Sequence, residues 1–156
     1  MMKTFFYITV FGCLHVLILG KALGQDIEVS GEWTLVIDES AIVNDDIVDT
    51  HESETGQITL NISAGRWDSY RVSVHKTDSN WQGDLSIDVR RTSNGNGPGS
   101  LSGGTVYQQV DDTGAAFFSG IGQRSKIYCQ YRIRGVGPQI PPGTYTTSIV
   151  YTVVQL

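Results

Sequence analysis

The chain predicts an all-β fold, a single antiparallel β-sandwich of about seven or eight strands that follows an export leader. Three observations carry this expectation. Apolar residues recur at every second position in one run after another, clusters of Gly, Asp, Asn and Pro separate the runs at short spacing, and no stretch of useful length keeps the 3.6-residue period of an amphipathic helix. Alternation of this kind puts one face of each strand in a core and the other in water.

The first twenty-four residues have the form of a secretory signal. Lys3 supplies a positive start, Thr4 to Gly20 is apolar, and Ala22-Leu23-Gly24 puts small residues where a signal peptidase cuts. A retained anchor needs roughly 20 apolar residues with a stop-transfer flank, which this stretch lacks. The domain plan is therefore residues 1–24 as signal peptide and 25–156 as the β-sandwich domain, with no membrane span after cleavage. The expected location is outside the cytoplasm: periplasmic, cell-surface or extracellular.

The elements follow in order from the mature start at Gln25. Ile27 and Val29 alternate, and Gly31 then resets the phase before Trp33, Leu35 and Ile37. Further runs are Ile58, Leu60 and Ile62, then Tyr70, Val72 and Val74, then Leu85, Ile87 and Val89. Val106 to Val110 and Ala115 to Phe118 are shorter candidates. Ile127, Cys129, Tyr131 and Ile133 form the apolar face of a strong strand whose other face is Lys126, Tyr128, Gln130, Arg132 and Arg134. The last strand enters through Pro141-Pro142-Gly143 and puts Tyr145, Thr147, Ile149, Tyr151 and Val153 on one face. Turn residues at Ala64-Gly65, Lys76 to Asn80, Asp111 to Gly114 and Gly135 to Gly143 break the runs. Two connections are long. Asp38 to Gly56 holds the small apolar pairs Ile42-Val43 and Ile47-Val48, which suit an extra edge strand or a helical turn. Thr92 to Gly104 contains Asn94-Gly-Asn-Gly-Pro-Gly99 and has the composition of a mobile loop whose shortening leaves stability unchanged.

Charge excludes one class of partner. Beyond the leader, nine basic residues face sixteen acidic ones, a net charge of −7 with histidine neutral, and Asp26 to Glu54 has ten carboxylates and no Lys or Arg. Nucleic-acid binding needs clustered cations, so none is expected. Cys13 leaves with the leader and Cys129 remains alone, which forbids an intramolecular disulfide; an unpaired thiol suits an intermolecular bond or a reactive site, but the strand face shared with Ile127, Tyr131 and Ile133 favours a small buried hydrophobe.

No catalytic residues, cofactor or metal set are assigned. His51 and His75 lack ligand spacing, and there is neither a nucleophile elbow nor a phosphate-cradling loop. Asn44-Asp45-Asp46 with Asp49, and Asp78, Asn80 and Asp84, offer oxygen atoms of the kind calcium takes, although such residues also dominate ordinary turns. Asn61-Ile-Ser63 matches a glycosylation acceptor inside a strand, where no sugar is expected. Trp33 falls in phase with the core. Trp67 and Trp81 lie at strand margins and are the candidate ligand contacts, as stacking surfaces for a glycan or a partner's apolar edge.

Gly120 to Gly135, followed by Pro141-Pro-Gly-Thr-Tyr-Thr-Thr-Ser-Ile-Val-Tyr-Thr-Val153, resembles the ending of bacterial secreted sandwiches of the spore coat U and Csu-type pilin kind. The chain lacks the paired cysteines common in that family. The resemblance covers the C-terminal third and implies an Ig-like or pilin-like Greek key and a non-catalytic surface subunit. Some members of the family join by strand exchange with the help of a chaperone and an usher. The expected function is a cell-surface structural or adhesive protein, a fibre, pilus or coat subunit assembling by strand addition, with self-association or other surface subunits as partners. The candidate donor strand is Ile27, Val29, Trp33, Leu35 and Ile37; the competing expectation is that Ile27 and Val29 form the first strand of their own domain. The alternative function is a monomeric extracellular module that binds carbohydrate or another ligand.

Overall fold

The computed structural model describes residues 5–12, 25–38 and 49–156. Among them are twelve strands and no helix: β1 (Phe5–Gly12), β2 (Asp26–Ser30), β3 (Glu32–Asp38), β4 (Thr50–Glu52), β5 (Ile58–Ser63), β6 (Ser69–Asn80), β7 (Ser86–Arg91), β8 (Ser100–Gly103), β9 (Gln108–Gln109), β10 (Ala115–Ile121), β11 (Arg124–Arg134) and β12 (Thr144–Gln155). They form two sheets packed as a sandwich. One runs β3-β1-β12-β6-β10-β8; the other runs β2-β5-β11-β7-β9, with β4 on the same edge of β11 as β5. Every pairing is antiparallel except that of β1 with β12.

The faces predicted for five strands are the observed ones, although β6 continues as a strand through the turn expected at Lys76 to Asn80. Ile58, Leu60 and Ile62 of β5, Tyr70, Val72 and Val74 of β6, Ile87 and Val89 of β7, and Ile127, Cys129, Tyr131 and Ile133 of β11 are all buried in one core. Thr147, Ile149 and Tyr151 of β12 join them, with Tyr145 and Val153 half-buried at the two ends. A bulge between Ala116 and Phe118 breaks strict alternation in β10 and turns both Phe117 and Phe118 inward, edge to face at 5.2 Å. Across the middle of the core the hydroxyls of Tyr131 and Tyr151 meet at 3.2 Å and join the two sheets. No disulfide performs that task, because Cys129 is free and buried.

The strand number exceeds the expected seven or eight for local reasons. β1 comes from the segment assigned to the leader, while β4, β8 and β9 are two to four residues long, too short for a period to be read. Gly31, at φ +116°, ends β2 on one sheet and lets β3 begin on the other; a Cβ there would overlap the Gln57 carbonyl oxygen. In the long acidic connection β4 is a short strand beside β11, while the pairs Ile42-Val43 and Ile47-Val48 lie outside the described residues.

The expectation of a mobile loop at 92–104 is corrected. Asn96 and Ser125 exchange backbone hydrogen bonds of 2.6 and 2.8 Å, Arg124 donates to the Gly97 carbonyl at 2.7 Å, and β8 pairs with β10. Arg91, itself buried, donates to the carbonyls of Ser93 and Gly103, each at 2.8 Å. Gly95, Gly97 and Gly99 have positive φ, and a Cβ on any of them would strike a backbone carbonyl of Ser125, Gln123 or Ile121. Here glycine permits close backbone approach rather than motion.

Two outcomes are expected. Deleting Asn94 to Gly99 strips partners from Arg91, Arg124 and Ser125 and lowers stability by more than about 2 kcal/mol; an unchanged urea midpoint would show that the segment is not fixed. Ile149→Asp puts a carboxylate at a fully buried site and costs more than about 4 kcal/mol, so soluble folded protein is lost. Normal yield of that variant would contradict the phase of β12.

Candidate functional site

Strand β12 has a paired neighbour on each of its edges. One edge pairs with β6 from Thr146 to Gln155, and the other carries β1, with Tyr7 opposite Thr144 and register continuing to Gly12 opposite Ile149. The second neighbour of β1 is β3, from Phe5 opposite Asp38 to Phe11 opposite Glu32. Ile8 sits between Tyr145 on β12 and Leu35 on β3 and is 1% exposed, a full member of the core. The slot beside β12 is thus filled by residues that fall in the expected leader. An apolar run that also suits an export signal conceals this strand in the sequence. The available signal was composition: Phe5-Phe-Tyr-Ile-Thr-Val-Phe11 is aromatic and β-branched, which favours a strand.

The five residues named as a donor strand are divided between the sheets. Ile27 and Val29 lie on β2, opposite Ile62 and Leu60 of β5, and so form a strand of their own domain. Trp33, Leu35 and Ile37 lie on β3, opposite Val10, Ile8 and Phe6. Trp33 and Leu35 pack against the core from its margin. A hydrogen bond from the Gln57 amide to the Glu32 carbonyl ties the start of β3 to the start of β5.

The two candidate tryptophans do not share a site. Trp67 precedes β6 and Trp81 follows it, and twelve extended residues separate their ends by roughly 35–40 Å. Trp67 is 77% exposed, with the Arg66 guanidinium 5.2 Å from its ring centre. Trp81 is half-buried and donates its indole N–H to the Leu85 carbonyl at 2.9 Å, closing the β6–β7 turn.

The outer face of β7 and β11 holds a polar cluster. Asp88, 1% exposed, accepts from Arg132 and Arg134, each at 2.8 Å, and Arg90 donates to the Gln130 side-chain oxygen at 3.0 and 2.7 Å. The Tyr107 ring lies between Arg90 and Arg132, 4.5 and 4.0 Å from their guanidinium carbons, and burial pushes its phenol up to about 12. These cations are committed to neighbours within the chain. They form a fixed surface, with no nucleophile-and-base pair among them.

Three members of the oxygen clusters have local partners. Asp78 accepts from Thr147 at 2.7 Å and pairs with Lys76, and Asn80 donates to the Thr144 carbonyl. Asp49 accepts from the Gly135 N–H at 3.1 Å, while Asn44, Asp45 and Asp46 lie outside the described residues. Among the described residues no group of three or more His, Cys, Asp or Glu side chains is placed to hold a metal. Asn61 uses both ends of its amide, donating to Glu28 at 3.0 Å and accepting from the Lys126 N–H at 2.9 Å. That second bond fixes the bulge where Lys126 takes φ +56°.

The fold and site define an all-β sandwich with one long strand whose outer edge is covered from the N-terminal segment. Comparison with protein families, with characterised proteins and with solved structures gives no match. No helix of the described residues is long and apolar enough to cross a membrane.

Burial pushes the Cys129 thiol up to about 12. The native thiol is therefore neutral and shielded at pH 8, and an alkylating reagent should label it only on unfolding; rapid labelling of native protein would contradict this burial. The sign for stability follows. The folded pKa lies above the unfolded value, so this contribution is intact below pH 9 and is lost as pH rises from 9 toward 12.

Proposed function

We propose that the processed chain is an exported, non-catalytic structural or adhesive subunit of the cell surface, a pilin-like Greek-key sandwich that assembles by strand addition at the outer edge of β12. The carrying observation is the position of β1: the backbone groups of Thr144 to Ile149 are paired by residues that the expected signal cleavage removes. An added strand supplies the missing ladder hydrogen bonds through its backbone and fills the core margin with alternate apolar side chains. The likeness of the C-terminal third to spore coat U and Csu-type subunits supports the same reading.

A glycan-binding module has less support. Its two proposed stacking rings stand at opposite ends of β6, so one ligand of ordinary size cannot touch both. Trp67 alone remains as an exposed ring.

The test uses the processed protein recovered from the producing cell and run on a denaturing gel without boiling. The proposal expects a ladder, or a complex with another surface polypeptide, that collapses to one band on heating. A single monomer band before and after heating, from cells making the protein at normal level, would contradict assembly by strand addition.

A further inference from the structure

We infer that β3 is a latch for the β12 edge: when residues 5–12 leave, Glu32–Asp38 of the same chain moves sideways by one strand and pairs directly with β12 until an incoming strand displaces it. This rests on the strand-addition reading and names what occupies the acceptor between processing and assembly.

The two registers that β1 makes determine the geometry. Ile8 opposes both Leu35 and Tyr145, Val10 opposes both Trp33 and Thr147, and Thr9 opposes both Thr34 and Thr146. Because β1 is parallel to β12 and antiparallel to β3, β3 is antiparallel to β12. Closing the gap by one strand spacing, about 4.8 Å, then brings Leu35 opposite Tyr145, Trp33 opposite Thr147 and Thr34 opposite Thr146. No register slip is needed, and no side chain changes face. Leu35 takes the place of buried Ile8, a substitution of nearly equal volume.

The chain is also placed for the movement. Among the described residues β1 is the sole strand paired with β3, so loss of β1 frees it. Its entry is anchored beside the slot, because Gly31 joins it to β2, which already touches β12, and Gln57 holds the Glu32 carbonyl. Gly31 has the backbone freedom for a changed crossing angle. Without the latch, Thr144 to Ile149 would present open backbone groups with no Lys or Pro to discourage unwanted pairing.

Thr34→Cys with Thr146→Cys tests the latch in the full chain, with a site-specific protease sequence placed within residues 13–24. Thr34 is exposed and Thr146 partly so, both outside the core. With β1 in place the two positions are two strand spacings apart, roughly 9–10 Å, beyond the reach of a disulfide at about 7 Å. The expected result is no crosslink before cutting. After cutting and removal of the released segment, mild oxidation should give a monomeric crosslinked species as the main product, and excess synthetic Phe5–Gly12 peptide should reduce its yield at least fivefold. No crosslink after cutting, with β-sheet circular dichroism retained, would overturn the latch and leave strand addition standing. A crosslinked dimer would also overturn it and identify the occupant as β3 of a second copy. A monomeric crosslink that excess peptide does not reduce would make the closure permanent and overturn both latch and strand addition.

Discussion

The backbone edge of β12 is the constraint on which the rest of the architecture depends. A strand of twelve residues has a row of N–H and C=O groups on each side, and buried groups of this kind must find partners. β6 satisfies one row. The residues of the other row have the composition of a central strand: Thr144 to Gln155 contains no charge, no proline and no bulge-forming glycine, the features by which natural edges are protected. Its inward residues Thr147, Ile149 and Tyr151 are buried, so the strand cannot twist away from the sandwich without opening the core. Something must cover this edge, and in the full chain it is β1.

The core around that edge holds without covalent help. Tyr131 and Tyr151 join the sheets through their hydroxyls, and desolvation raises both phenols, so they remain neutral donors and acceptors at ordinary pH. Arg91 offers a second solution. Burial lowers its pKa, yet its guanidinium is surrounded by the carbonyls of Ser93 and Gly103 and faces the Phe118 ring. A buried cation satisfied by backbone carbonyls costs far less than an unpaired one. It also joins β7 to the 92–104 segment, which is why that segment is built into the sheet.

Much of the sandwich was legible in the sequence because burial on one face produces a period of two, and β5, β6, β7, β11 and β12 all show it over five or more residues. The illegible parts have physical causes. β8 and β9 are too short to have a period, and the bulge at Ala116 to Phe118 breaks one. Gly95, Gly97 and Gly99 have the composition of flexibility, while close approach to carbonyls makes them rigid; composition cannot separate the two uses of glycine. The apparent pairing of Trp67 with Trp81 was a sequence proximity that a twelve-residue strand converts into opposite ends. The slot beside β12 was hidden for a different reason, since the segment filling it also satisfies the apolar demand of an export signal.

That double fit follows from one physical requirement. A signal's apolar run must leave water, and so must the core-facing side of a strand between β3 and β12; Phe5 to Gly12 meets both demands with a largely aromatic and β-branched composition, and its Ile8 is buried in the core. β3 has about half that apolar character: Trp33 and Leu35 pack toward the core, while Glu32, Thr34 and Val36 are exposed. A one-sided strand is what an exposed sheet margin requires, whereas a strand apolar on both faces would leave greasy surface in water. Gly31 is the point at which a chain committed to β5 by Ile27 and Val29 crosses to the other sheet and pairs with β1.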